Sequence, residues 1–210
     1  MSDEEQLEKL QNWWRENGRA VIAGVIIAVG GVVGWQQWGA YQERQAEAAA
    51  SAYMQFMEAR DTDTDAETVA RRGERVMENH ADSAYAAMAG LQLADYHISQ
   101  DDPDAAAETL AWVTENAADK AFRDLARLRR AQVLYGQDRL DEALAVLEDA
   151  DQGPYEGRYH ELRGDIYAAR GEAEQARSAY EAALGADGVP QMRRTLIERK
   201  LREVGGEVPA

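Results

Sequence analysis

The stretch LRGDIYAARGEAEQARSAYEAAL, Leu162 to Leu184, decides how this chain folds. Gly164 and Tyr167 stand three apart, Gly171 follows as a helix stop, and Ala176, Tyr180 and Ala183 resume at spacings of four and three. That is a 3.6-residue period interrupted once, so it reads as two short helices joined by a tight turn. The same set recurs upstream. Ala131, Leu134, Ala143, Leu147 and Ala150 precede it by 33 residues, and Ala94, His97, Ala106, Leu110 and Val113 precede those by 37, with the four extra residues assigned to a longer loop.

A helical hairpin repeating every 34 residues or so is the layout of tetratricopeptide-like repeats. The small residues have a physical reason. Ala94, Ala131 and Gly164 on the first helices must lie close to Ala106, Ala143 and Ala176 on the second, where a bulky side chain would hold the helices apart. Asp102 before Pro103 supplies an N-cap and a first-position proline, and Gly136 and Gly171 are expected to end first helices. The repeats are degenerate: Gly90, Arg127 and His160 stand where the repeat consensus has tryptophan, and Pro154 and Pro190 only approximate its proline. Pro190 opens a last helix, QMRRTLIERKLREV, whose Leu196, Ile197, Leu201 and Val204 are expected to cap the array. Upstream, Ala46, Ala50, Tyr53 and Met57 form one helical face. The DTDTD run, Asp61 to Asp65, then stops that helix and caps another carrying Val69, Gly73, Val76 and Met77. The expected fold class is all-α.

Ahead of the array, residues 20–42 carry no charge, and their apolar heart is AVIAGVIIAVGGVVGW, Ala20 to Trp35. As a helix this length spans about the 30 Å hydrocarbon core of a bilayer. Trp13 and Trp14 precede it, and Trp35, Trp38 and Tyr41 close it, as rings that settle at the headgroup level. Lys9, Arg15 and Arg19 stand before the segment and only Arg44 after it until Arg60, which places the N-terminus in the cytoplasm. Ala46-Glu47-Ala48 has the form of a signal cleavage site. The leader is acidic, however, and the apolar stretch is too long, so the segment reads as an uncleaved anchor. Three parts follow: a cytoplasmic tail at 1–19, a transmembrane anchor at 20–42, and a periplasmic repeat domain at 43–210. Within the anchor, Gly30 and Gly34 form a small-xxx-small pair that would let another membrane helix approach closely.

Chemistry of other kinds finds no support. With 23 basic and 39 acidic residues the net charge is −16, which excludes wrapping nucleic acid. The absence of cysteine removes thiol catalysis and thiolate metal sites. His80, His97 and His160 lie far apart; Asp101 stands near His97 and Glu156 near His160, too few ligands for a metal. Asp61, Asp63 and Asp65 imitate a calcium loop, but Ala66 and Arg72 stand where it needs glycine and glutamate. No serine sits in a nucleophile elbow. The expectation is a protein without catalytic residues or cofactor.

The passage WWRENGRAVIAGVIIAVGGVVGWQQWGAYQ, Trp13 to Gln42, resembles the YfgM-like family, the ancillary subunits of the SecYEG translocon, at Glu16-Asn17-Gly18-Arg19, Gly34-Trp35 and Trp38. The resemblance continues through SAYAAMAGLQLA (Ser83 to Ala94), LARLRRAQVL (Leu125 to Leu134) and Leu162 to Leu184, and so covers nearly the whole chain. It implies a non-enzymatic inner-membrane protein beside the translocon, passing emerging or unfolded polypeptides to periplasmic chaperones such as PpiD. For some members it also implies a cytoplasmic stress-response regulator held through the tail. The alternative class is a periplasmic repeat scaffold for cell division or envelope assembly; its usual coiled-coil N-terminus and cleaved signal are not evident.

Overall fold

The computed structural model describes residues 3–62, 65–148 and 153–207; the side chains of residues 3–11, 20, 21, 23 and 25–27 lie outside the described residues. Asp63, Thr64 and Ala150, invoked above, lie outside it too. The described residues form α1 (Asp3–Asp61), α2 (Ala66–Asn79), α3 (Ala84–Ser99), α4 (Pro103–Asn116), α5 (Lys120–Gly136), α6 (Leu140–Glu148), α7 (Glu156–Ala169), α8 (Ala173–Gly185) and α9 (Gln191–Glu203), with no strand among them. The fold is all-helical with tetratricopeptide-like repeats. The chain divides into two compact units, Met1–Ala48 and Ala49–Ala210.

The first unit is helical throughout its described length, with Ile22, Val29, Val32, Val33, Trp35, Trp38 and Tyr41 exposed. Among the described residues no helix is long and apolar enough to cross a membrane. Ala20, Val21, Ala23, Val25, Ile26 and Ile27, the first part of the apolar heart of the expected anchor, have side chains outside the described residues. What remains in view is richer in glycine and tryptophan. Near the start, the Trp14 ring lies over Gly18, 3.3 Å from where a Cβ would stand.

The second unit is an array of helix pairs: α3 with α4, α5 with α6, and α7 with α8. From α2 onward each helix packs on the next in sequence, and first helices also touch the next first helix, α3 with α5 and α5 with α7. The core therefore has no single centre. It runs as successive clusters, around Phe56 and Leu93, around Leu110 and Val113, around Leu134 and Ile166, and around Ile197 and Leu201.

A further pair precedes the three. Val69, Gly73 and Val76 of α2 are buried, each 37 residues before Ala106, Leu110 and Val113. Its partner is the end of α1, whose buried face is Ala49, Phe56 and Ala59. Of the face expected at Ala46, Ala50, Tyr53 and Met57, Tyr53 and Met57 pack against the cluster around Phe56 and Leu93, Ala50 is half-buried and Ala46 is exposed. Phe56, fully buried, joins Val69, Val76 and Leu93 there.

The turns repeat as faithfully as the helices. At the end of α3 the Asp102 N–H donates to the His97 carbonyl and the Asp101 N–H to the Ile98 carbonyl. Arg139 and Asp138 do the same to Leu134 and Tyr135, and Glu172 and Gly171 to Tyr167 and Ala168. This pair of bonds closes a helix through one left-handed residue. Asp101 and Asp138 both have φ 60°, and Gly171 has φ 76°. Gly136 is therefore the last residue of α5 and not its left-handed stop, which is Asp138. Gly206 and Gly205 repeat the pattern on Leu201 and Arg202, so α9 ends like a first helix, 34 residues after Gly171. N-caps also follow the sequence signals: Asp65, Ser83 and Asp102 each accept from a backbone N–H three residues on.

Candidate functional site

The small positions of the repeat lie in its interior. Ala94, Ala106, Ala131, Ala143 and Ala176 are at most 2% exposed. Gly164 is buried as well, and a Cβ there would meet the Tyr180 ring at 2.4 Å, the nearest neighbour in that pair. In the α3–α4 pair, Gly90 plays a comparable part, since a Cβ would lie 2.3 Å from Val113. A bulky residue at Gly90, as the repeat consensus has, is excluded because Val113 fills that space. Gly30 and Gly34 are exposed in the first unit, and a Cβ on either would meet nothing within 4 Å.

Among the described residues, hollows mark the surface of the second unit. A polar one of about 630 Å³ lies where Arg60, Asp65 and Asp95 converge beside Tyr96. Another, about 520 Å³, is lined by His160, Arg163 and Tyr167 of α7 with Gln175 and Ser178 of α8. There burial, reinforced by the Arg163 guanidinium, pushes the His160 imidazole below its ordinary pKa; Glu156, 3.9 Å away, opposes this. The third, about 450 Å³, is the apolar one, with Ala94, Ile98, Pro103, Leu110, Val133 and Gly136 on its wall. At its edge Arg129 Nη1 donates to both oxygens of Asp95, at 3.1 and 3.0 Å.

The α7–α9 end is tied by buried charge. Glu161, 5% exposed, accepts from Arg193 Nη1 at 2.7 Å and Lys200 Nζ at 2.9 Å. Lys200 also donates to Asp165 at 2.8 Å, which accepts in turn from the Tyr180 hydroxyl at 2.8 Å. Burial disfavours the Glu161 charge, yet the hydrogen bonds from Lys200 and Arg193 outweigh it and hold its pKa below the ordinary glutamate value. Burial likewise disfavours the Lys200 charge, and the bonds to Asp165 and Glu161 hold its pKa above the ordinary value. Burial raises the Tyr180 phenol, and the hydrogen bond to Asp165 raises it further. Burial also pushes the Tyr159 phenol up to about 12; its hydroxyl donates to the Asp124 carbonyl at 2.6 Å, fastening α7 to α5. Among the described residues no group of three or more His, Asp or Glu is placed to hold a metal.

Sequence reasoning missed the hollow and the network for the same reason: each joins residues some 30 or more positions apart. A signal for the turns existed, because Asp101, Asp138 and Gly171 occupy the same place in the repeat.

The chain is similar to a Haemophilus influenzae protein named ancillary SecYEG translocon subunit, 26% identical over 183 residues, which is 87% of this chain and 89% of that one. It is also similar to the Escherichia coli protein of the same name, 27% identical over 191 residues, 91% of each chain. The tetratricopeptide repeat-like domain family matches residues 11–206, through α9. With helix pairs, turns and closing helix all falling in one register, this chain belongs to the tetratricopeptide repeat-like domain family.

Proposed function

We propose that this chain is a non-enzymatic accessory protein of the SecYEG translocon in the bacterial inner membrane. Residues 20–42 cross the bilayer once, residues 1–19 lie in the cytoplasm, and residues 43–210 work in the periplasm. There the repeat domain receives emerging polypeptides and passes them to chaperones of the PpiD kind. The observation that carries this reading is the likeness to ancillary translocon subunits over about nine-tenths of both chains. The exposed apolar side chains from Ile22 to Val33, followed by Trp35, Trp38 and Tyr41, support the anchor. Gly30 and Gly34 leave a shallow strip on it. In lipid, helices associate by packing and not by hydrophobicity, so that strip is where a translocon helix would dock.

The test is a Gly30→Leu, Gly34→Leu double variant of the full chain. Leucine keeps the segment apolar and fills the strip. The variant should reach the membrane fraction like the wild type and recover less SecYEG on affinity purification after mild solubilisation. Full recovery would remove the glycine face from the docking role. Failure of the wild-type chain to recover SecYEG at all would sink the accessory reading.

A further inference from the structure

We propose that the apolar hollow between α3, α4 and α5 binds an extended polypeptide segment presenting one aliphatic side chain next to Lys or Arg. This rests on the accessory reading for the source of such segments and adds what they must look like. The hollow, about 450 Å³, falls within the roughly 300–1,000 Å³ of ligand-binding pockets. Ile98 on its wall is 46% exposed, a large aliphatic side chain left half in water on an otherwise ordered helix. Leu110 and Val133 line the hollow with it. An aliphatic side chain entering there removes apolar surface from water on both partners.

Charge decides the neighbour. Two turns frame the hollow. One carries Asp101 and Asp102 immediately before Pro103, and the other carries Asp138 immediately after Gln137. Asp101 and Asp138 are exposed, and neither side chain has a hydrogen-bond or ion-pair partner among the described residues. The nearby basic residues are already engaged: Arg129 is held by Asp95, and Arg139 by Asp104 and Glu142. The rim thus offers free negative charge and no free positive charge of its own. Both aspartates also hold φ 60°, where Gly171 serves the equivalent turn. A cationic residue beside the inserted side chain meets them, and an acidic one is repelled.

The test uses full-length protein in lipid nanodiscs and a short fluorescent Gly/Ser peptide bearing one Leu between two Arg, read by anisotropy. Saturable binding is expected, weakening with added salt. Replacing the Leu by Ser, or both Arg by Glu, should weaken it about tenfold or more. Two protein variants separate binding from stability. Asp101→Gly with Asp138→Gly relieves the left-handed turns, so it should melt no lower than wild type yet bind roughly threefold to tenfold more weakly. Gly136→Leu sends a side chain into the hollow, where a Cβ meets nothing within 4 Å, and should melt no lower while losing the dependence on the peptide Leu. Wild-type affinity in either variant, or equal affinity for the Ser peptide, would overturn the proposal. A dimer in solution that Gly136→Leu dissociates would instead make the hollow a contact between copies, which also overturns it. SecYEG recovery is measured on the same variants: the accessory reading fails if wild type recovers none, whereas the proposal here fails on the titration alone.

Discussion

Two glycines show how far a residue's surroundings outweigh its propensity. In a helix interior, alanine is favoured over glycine by roughly 1 kcal/mol. At Gly136, the last residue of α5, nothing stands within 4 Å of the added Cβ, so Gly136→Ala should raise stability by up to about 0.5 kcal/mol, less than the interior value. At Gly164 the same methyl would stand 2.4 Å from the Tyr180 ring, whose hydroxyl is held by Asp165 at 2.8 Å. The ring cannot withdraw without breaking that bond, so Gly164→Ala should lower stability by about 1–3 kcal/mol despite its better helix propensity. Ala143, fully buried, should behave likewise, with Ala143→Leu destabilising by about 1–3 kcal/mol. Thermal or urea unfolding of the three variants checks both signs. Equal midpoints for Ala143→Leu and wild type would show that the α5–α6 crossing is looser than drawn.

At the scale of elements, α9 is the telling case. It is short, and Ile197 and Leu201 are its fully buried side chains, so its attachment depends heavily on Arg193 and Lys200 reaching Glu161. Removing a partner from a fully buried pair costs about 3–5 kcal/mol, but the Arg193 and Lys200 side chains are 33% and 23% exposed. Water relieves part of that penalty, so Glu161→Ala should cost about 1–3 kcal/mol and release α9 before the rest. Amide exchange of α9 in wild type and variant measures this. Exchange in α9 no faster in the variant would rule the network out as the fastening.

The same end should respond to pH on both sides. The His160 pKa is lowered on folding, so its contribution is present above the ordinary value of 6.5 and lost as pH falls through the folded one. Glu161, lowered from 4.5, adds a second loss further into acid. Lys200 is raised from 10.5, so its contribution is present below that value and lost as pH climbs through the folded one. Thermal midpoints should therefore be highest between about pH 7 and pH 10, and His160→Gln should flatten the decline just below 6.5. An unchanged slope there would assign the decline to other groups.

For the whole chain, the decisive question is which side of a membrane each unit occupies. Sparse basic residues after the apolar segment, against Lys9, Arg15 and Arg19 before it, predict an orientation with the tail inside. Single cysteines can be introduced without a competing thiol, since the chain has none. Ser51 and Ser99 are exposed, and cysteine at either should react with an impermeant maleimide once the outer membrane is opened. Cysteine at Ser2 should stay unlabelled until the inner membrane is broken. The reverse pattern would invert the topology.

What the residues alone determined is periodic and local. Spacings of three and four give helices, Asp102-Pro103 gives a helix start, and a register of 33 to 37 residues gives the repeat. These signals survive in a single sequence because each arises from interactions within one or two turns of chain. They run out where a partner is remote or where side chains compete for one space. The cluster that Phe56 forms with Val69 and Leu93 decides that it is buried while Ala46 is exposed. That Gly90 must stay bare was settled by Val113 from the next helix. The left-handed residue closing α5 is Asp138 and not Gly136, at the place that Asp101 and Gly171 hold in the neighbouring pairs. The hollow beside Ile98 and the charges joining Glu161 to α9 likewise exist only once helices some 30 residues apart are stacked, since no local rule links residues at that distance.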